Sequence, residues 1–220
     1  MSTSPGGADY RGALLFRGAE ADILEGRWEG LEAILKVRRP LRYRLAALDD
    51  AIRLSRTTRE AEMTHHAKEA GVESPHVYFV DPPAATIVME RVRGERMKDR
   101  VERSPNGAPG HFRALGRCIA KLHLAGMVHG DVTTANVILR DAGPVLLDFG
   151  LSSRTTRLED FAVDLRLAKE TTVGAHPSIS AAGMRAFLEG YAEVAGPKHS
   201  RDVQRQLASI ERRGRYARVA

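Results

Sequence analysis

One cysteine, Cys118, stands among 220 residues, which excludes an internal disulfide and a thiolate-built metal site. It falls within Leu115-Gly116-Arg117-Cys118-Ile119, on the apolar side of a helical pattern, and reads as a buried, unreactive thiol. No stretch approaches the ~20 apolar residues that span a bilayer. Met1 to Tyr10 is small and polar, without the apolar centre of a signal peptide. A cytoplasmic protein with no membrane partner is therefore expected. His65, His66 and His123 have no metal-ligand spacing with other donors and read as structural or exposed. No Gly-x-Gly-x-x-Gly loop is present to cover phosphates, and there is no internal repeat.

What is present is an ordinary globular composition, 43% hydrophobic and 28% charged, long enough for one compact unit or two small lobes. The formal charge of +6 is arginine-rich and concentrated toward the ends. It favours polyanionic partners, nucleic acid above all. Residues 1–10 read as a disordered leader. Short apolar stretches at Leu14 to Phe16, Ala21 to Leu24 and Leu31 to Val37 predict antiparallel strands, as do Val77 to Val80 and Thr86 to Met89 around the turn Asp81-Pro82-Pro83. Ala46 to Ala70 predicts a helix ended by Gly71.

After Glu90 the pattern becomes helical. Phe112, Leu115, Ile119 and Leu122 mark a helix over His111 to Ala125 with Gly126 as its cap, preceded by a Pro/Gly-rich loop, Arg103 to Gly110. Further helices are expected over 158–172, 182–195 and 202–213. Val137 to Leu139 and Val145 to Leu147 predict a hairpin around Asp141-Ala142-Gly143, which would hold Asn136 and Asp148 at adjacent ends. The fold class is α+β, in two kinase-like lobes. A small N-lobe of antiparallel sheet plus helix covers 11–90, a reduced helical C-lobe 91–211, and a basic tail 212–220.

The chemistry lies in His129-Gly130-Asp131-Val132-Thr133-Thr134-Ala135-Asn136, followed twelve residues after Asn136 by Asp148-Phe149-Gly150. This is the layout of phosphoryl transfer: one carboxylate for the attacking hydroxyl, and an amide with a second carboxylate for magnesium on a nucleotide. Asp131 is the candidate base or hydroxyl orienter, and Asn136 and Asp148 the candidate Mg2+ ligands. Lys36, in Ile34-Leu35-Lys36-Val37, could bridge the α- and β-phosphates, with Glu60 as its helix partner. Glu62 lies on another face of that helix, and Arg38 and Arg39 compete for the role of Lys36. An exposed strand lysine is the plain alternative. Gly18-Ala19-Glu20-Ala21 takes the place of the missing glycine loop, and Met89-Glu90-Arg91 reads as an adenine-facing hinge or as plain core. Asp164 is a buried-looking helix carboxylate supporting the catalytic loop, and His129 reads as a packed, hydrogen-bonded histidine. Gly130 stands where most kinases carry arginine, so no cation is there to clamp an activation-loop phosphate. Only fifteen residues separate Asp148 from Asp164, with no Ala-Pro-Glu motif. That leaves little platform for a peptide substrate.

Together these residues resemble the small atypical kinase/ATPase subunit of the KEOPS (EKC) complex, the PRPK-like family, over Gly18 to Arg218. The particular signs are Gly18-Ala19-Glu20-Ala21, Lys36-Val37-Arg38 with Arg42-Tyr43-Arg44, Leu48-Asp49, Arg56 through Glu60-Ala61, and Val88-Met89-Glu90 with Gly94. Others are the His129 loop with Thr133-Thr134, Asp148 through Ser152, Glu159-Asp160 with Val163-Asp164-Leu165, Phe187 through Tyr191, and Arg212-Arg213-Gly214-Arg215. The resemblance implies ATP and Mg2+ as cofactors and weak serine/threonine kinase or autokinase activity. It further implies ATPase action beside a threonylcarbamoyl-transferase subunit, in making threonylcarbamoyl-adenosine on tRNA. A small regulatory subunit would bind the N-lobe. Arg212, Arg213, Arg215 and Arg218 would reach tRNA phosphates or complete the active site; a merely solvated tail fits the sequence equally. Departures are Leu45-Ala46-Ala47, Val132 in place of leucine and the loop Ser104 to Gly110, none of which touches the predicted chemistry.

Three other readings compete. A small-molecule kinase of the aminoglycoside or sugar type shares the His-x-Asp and Asn spacing but would need an acceptor-binding insertion. A catalytically idle kinase-shaped module is argued against by the intact Lys36, Glu60, Asp131, Asn136 and Asp148. A RIO-type kinase would be expected to bring an additional N-terminal domain.

Overall fold

The computed structural model describes residues 12–41 and 43–216, and the chain divides into two compact units. The expected leader, Arg42 and Arg218 lie outside the described residues. The first unit takes in the chain up to His66 together with Pro75–Val92; the second takes in Ala67–Ser74 and the chain from Arg93 onward.

The first unit is a five-stranded antiparallel sheet and a helix. Strands β1 (Ala13–Arg17), β2 (Ala21–Trp28), β3 (Leu31–Arg38), β4 (Val77–Asp81) and β5 (Thr86–Glu90) pair in the order β1-β2-β3-β5-β4. The two-residue turn Glu29-Gly30, both with positive φ, matches the twist that a tight hairpin demands. Alternation along β3 divides its side chains between the two faces of the sheet. Ala33 and Leu35 pack with Val88 in a core joined by Leu24, Trp28, Val37, Tyr78 and Phe79. The opposite face therefore carries Lys36 and Arg38. Helix α1 (Ala46–Glu69) begins with Asp49 in its first turn, where a carboxylate favours the helix dipole. Its last residues, from Ala67, belong to the second unit, where the helix ends in a Schellman cap: Gly71, at φ +72°, donates to Lys68 O and Val72 to Ala67 O, each at 2.9 Å.

The second unit holds β6 (Glu95–Arg96), α2 (Met97–Arg103), α3 (Ala108–Leu124), β7 (Met127–Val128), β8 (Val137–Arg140), β9 (Gly143–Leu146), β10 (Ser153–Arg154), α4 (Leu158–Ala175), α5 (Ser180–Ala195) and α6 (Pro197–Tyr216). Strands β6, β8 and β9 form one small antiparallel sheet, and β7 pairs with β10. The apolar period of α3 buries Phe112, Leu115, Ile119 and Leu122 in a core shared with Phe161, Phe187 and Tyr191. Helices α3 and α5 meet with their backbones almost touching: a Cβ on Gly116 would lie 2.0 Å from Phe187 O, and one on Gly190 2.0 Å from Arg113 O. Arg113 and Arg117 bind Glu189 and Glu193 along the same seam.

The structure departs from the sequence reading at three places. The expected loop 103–110 is a 3-10 turn at Pro105–Gly107 followed by the start of α3, because Pro109 is tolerated in a first helical turn. Helix α2 was not foreseen: seven residues with Met97 and Val101 alone buried carry too little period to read. Arg212 and Arg213, expected in a tail, belong to α6, which runs on through Arg215 to Tyr216. Its buried Val203 and Leu207, and the pairs Lys169–Glu211 (2.7 Å) and Arg213–Glu159 (3.3 Å), fasten it to α4.

Replacing Gly116 or Gly190 with alanine forces α3 and α5 apart. Each variant is expected to lose about 3 kcal/mol of stability, seen as a melting temperature about 6–12 °C lower. An unchanged melting curve contradicts this packing.

Candidate active site

The two units each carry part of the predicted machinery. In the first, the outward face of β3 sets Lys36 and Arg38 against Glu60 on α1. Lys36 Nζ donates to Glu60 Oε1 at 2.7 Å and Arg38 donates to Oε2 at 2.5 Å. Glu60 is 2% exposed, so both carboxylate oxygens are satisfied inside protein, as a buried charge requires. Arg38 thus shares Glu60 with Lys36 and does not displace it. The turn Gly18-Ala19-Glu20-Ala21 between β1 and β2 is tied down from several sides. Gly18 N–H donates to Ala21 O at 2.9 Å, Arg39 N–H donates to Glu20 O at 2.9 Å, and the Arg39 guanidinium donates to Gly18 O at 2.5 Å. The Glu20 carboxylate pairs with Arg56 of α1 and lies 3.7 Å from Arg44 and 3.8 Å from Arg38. Met89 and Glu90 close β5, opposite Ile34 and Ala33, and Glu90 N–H donates to His76 O at 2.7 Å.

In the second unit the loop His129 to Asn136 is built around one buried anion. Asp164 on α4 is 1% exposed and accepts the N–H of His129 (2.8 Å) and of Gly130 (2.7 Å). His123 Nε2 donates to it at 3.2 Å, and its Nδ1 lies 2.9 Å from the Tyr191 hydroxyl. Burial pushes the Asp164 carboxyl up, but the hydrogen bond and charge of His123, with the His129 N–H, hold it below its ordinary value. Burial, with the Asp164 charge, pushes the Tyr191 hydroxyl up. Gly130 has φ +80°, and a Cβ there would lie 2.4 Å from Leu151 O. The loop has no room for an arginine at that position.

His129 is held in one tautomer. Its Nε2 donates to Leu147 O (3.1 Å), so Nδ1 is the acceptor for the Asp131 N–H (3.3 Å). Its carbonyl accepts the Ser152 hydroxyl at 2.8 Å, and its ring packs on the fully buried Phe149. Asn136 Nδ2 donates to the Asp131 carboxylate at 2.7 Å and to the Asp131 carbonyl at 3.1 Å, which leaves the amide oxygen Oδ1 pointing elsewhere. Leu147 N–H donates to Asn136 O at 2.8 Å, so β8 and β9 present Asn136 and Asp148 side by side. Asp148 takes a left-handed backbone, φ +58°, with Gly150 N–H on its Oδ1 at 3.2 Å. Leu115, Ile119, Val132, Val137 and Leu146 line the apolar floor below Asp131.

Among the described residues, no group of three or more His, Cys, Asp or Glu could hold a metal alone. An amide oxygen and a carboxylate fit a hard cation whose remaining ligands are phosphates and water, the manner in which Mg2+ is usually held. Sequence reasoning missed His123, Tyr191 and Ser152, which act through contacts distant in sequence. It also missed Arg39 and Arg56 as fasteners of the Gly18 turn. The helix periodicity that buries Leu122 was the available signal for His123. Among the described residues no helix is long and apolar enough to cross a membrane.

Residues 43–160 match the RIO domain and residues 125–197 the phosphotransferase enzyme family. The second match takes in the His129–Asn136 loop and Asp148. The crystal structure of the Rio2 kinase–ADP/Mg2+–phosphoaspartate complex from Chaetomium thermophilum covers 90% of this chain and 70% of its own, with TM-score 0.63 and 19% identity. Fold and site together define an atypical, kinase-like domain. The KEOPS complex subunit Bud32 of Pyrococcus abyssi is 39% identical over 210 residues, covering 92% of this chain and 96% of that protein. The "Probable bifunctional tRNA threonylcarbamoyladenosine biosynthesis protein" of Methanothermobacter thermautotrophicus is 37% identical over 98% of this chain, which spans 39% of that protein's length. The chain belongs to the family of Bud32, the KEOPS subunit.

Asp164→Asn turns an amide N–H toward donors and is expected to cost about 3 kcal/mol near neutral pH. Because the folded carboxyl sits below 3.8, its stabilisation is complete above that value and lost as pH falls through the lower, folded one. The stability gap between wild type and variant, measured by denaturant titration, should therefore narrow only below about pH 4. A gap that is constant down to pH 2 contradicts the assignment.

Proposed function

We propose that the chain is an ATP-dependent atypical serine/threonine kinase and ATPase, working as the catalytic KEOPS subunit in threonylcarbamoyl-adenosine formation on tRNA. The observation that carries the reading is the Asp131–Asn136 pair beside Asp148, on a chain that also buries a Lys36–Glu60 pair. The names of the Bud32-type relatives support the tRNA role, and the ADP/Mg2+ in the Rio2 relative supports ATP and Mg2+ as cofactors. The bifunctional relative, of which this chain spans 39%, supports a threonylcarbamoyl-transferase as partner. The other partners in this reading are a small regulatory subunit on the first unit and tRNA itself, met in the cytoplasm.

In this reading Lys36, oriented by Glu60, holds the α- and β-phosphates. The Asn136 amide oxygen and the Asp148 carboxylate would hold Mg2+, which when bound neutralises phosphate charge. Asp131 receives the proton of the attacking hydroxyl, from water or a protein side chain. The new O–P bond forms on the γ-phosphorus as the bond to the β-phosphate oxygen breaks and ADP leaves. Asn136 keeps the Asp131 carboxylate aimed through its Nδ2 bond. The absence of a cation at Gly130 supports a domain assembled without activation-loop phosphorylation. In this reading Arg212, Arg213, Arg215 and Arg218 serve tRNA; Arg213 would first have to leave Glu159.

ATP turnover measured with and without tRNA and the transferase partner tests this. Stimulation by both is expected, with Asp131→Ala and Asp148→Ala lowering the rate by about 10²–10⁴-fold. Turnover that appears only with an amino sugar would overturn it in favour of a small-molecule kinase.

A further inference from the structure

Helix α4 does more for the catalytic loop than supply Asp164. Its C-terminal cap is His176, whose N–H donates to Thr172 O at 2.8 Å and whose carbonyl accepts the Ile179 N–H at 3.2 Å. The ring is buried, 4% exposed, and stands edge-on to Phe112 of α3 with centroids 6.4 Å apart. From there its Nε2 lies 2.8 Å from the hydroxyl of Thr134, itself 6% exposed. Thr134 opens the short 3-10 turn Thr134–Asn136, capped by Thr133 Oγ1 on the Asn136 N–H at 3.2 Å. At the far end of that turn, Asn136 Nδ2 grips the Asp131 carboxylate. The path from the imidazole to the reactive carboxylate therefore runs through one buried hydrogen bond, one turn of backbone and one amide. A buried hydroxyl and imidazole left unpaired are costly, so the bond fixes where the turn begins.

We propose that His176 is a positioning residue for phosphoryl transfer, acting through Thr134 to set Asn136 against Asp131. The inference rests on the phosphotransfer reading of this site and adds a residue that touches neither nucleotide nor acceptor. Thr171, one turn of α4 before the cap, supports the same loop: its hydroxyl lies 3.0 Å from Val132 O, although it also faces its own helix at Leu167 O (2.8 Å) and Ala168 O (3.2 Å). Burial holds His176 below the ordinary imidazole value, against the charge of Glu102 and with that of Lys98, so a neutral ring with one N–H and one lone pair meets the hydroxyl.

Thr134→Val removes the hydroxyl at nearly constant volume, and His176→Phe keeps a ring without nitrogen. In the full chain with its tRNA and transferase partner, each is expected to lower kcat for ATP turnover about 10- to 100-fold, as small misplacements of catalytic groups do. Each should also raise the Mg2+ concentration for half-maximal rate several-fold, with KM for ATP at saturating Mg2+ unchanged. Thr134→Ser should restore the rate, and the double variant should lose no more than either single one, since both remove the same link. If His176→Phe does not fold, the Thr134 pair decides alone. Thr134→Val with wild-type kcat and Mg2+ dependence, or with a lower melting temperature as its only change, overturns the proposal. Turnover that survives in Asp131→Ala overturns the reading of the site itself, and the positioning role with it.

Discussion

The buried carboxylate of Asp164 is the constraint on which the second unit depends. Two consecutive backbone N–H groups, of His129 and Gly130, converge on one anion that water cannot reach. Such convergence needs a left-handed turn at Gly130 with no side chain, because Leu151 passes 2.4 Å from where a Cβ would sit. The price of burying the charge is met by three donors, and His123 carries the network on to Tyr191 and the α3–α5 interface. Loop, helix pair and central carboxylate thus form one polar structure inside an apolar core, which is stable only when every member is paired.

Glu60 has the corresponding place in the first unit, with a different economy of charge. One carboxylate serves two cations from the same face of β3, and Arg38 also leans within 3.8 Å of Glu20. Glu20 in turn meets Arg56 and Arg44. The turn that stands where a flexible glycine loop would be is therefore fastened by ion pairs and by Arg39 on its carbonyls. A chain of only 220 residues with a surplus of arginine replaces backbone freedom with charge pairing. Arg presents a rigid planar fork of donors that can hold carbonyl and carboxylate in a fixed geometry, whereas Lys is a point charge on a flexible stem.

Much of this was legible before any coordinates. The strand alternation around Lys36, the helix from Ala46, the apolar stripe of α3 and the hairpin carrying Asn136 and Asp148 all follow from local period and turn chemistry, and lie within a few residues of the elements found. Helical geometry places Glu60 and Glu62 on different faces of α1, so that only one of them could meet Lys36. Helix α2, the extension of α6 to Tyr216 and the pairing of β7 with β10 were not legible. Short elements carry too little pattern, and an arginine-rich segment looks solvated until its Arg213 is seen on Glu159 of α4 and its Glu211 on Lys169 of α4.

What the amino-acid order determined by itself is the inventory of chemistry and its spacing: an aspartate and an asparagine on one loop, a second aspartate after a short hairpin, a lysine on an alternating strand. Those spacings act through covalent geometry, which is written in the chain. Only the tertiary structure decided which distant groups hold that inventory in place. His123 with Tyr191, Ser152, and His176 on Thr134 meet their partners across tens of residues. Their hydrogen bonds exist because packing brings the partners within 3 Å or so, and no local pattern encodes that proximity.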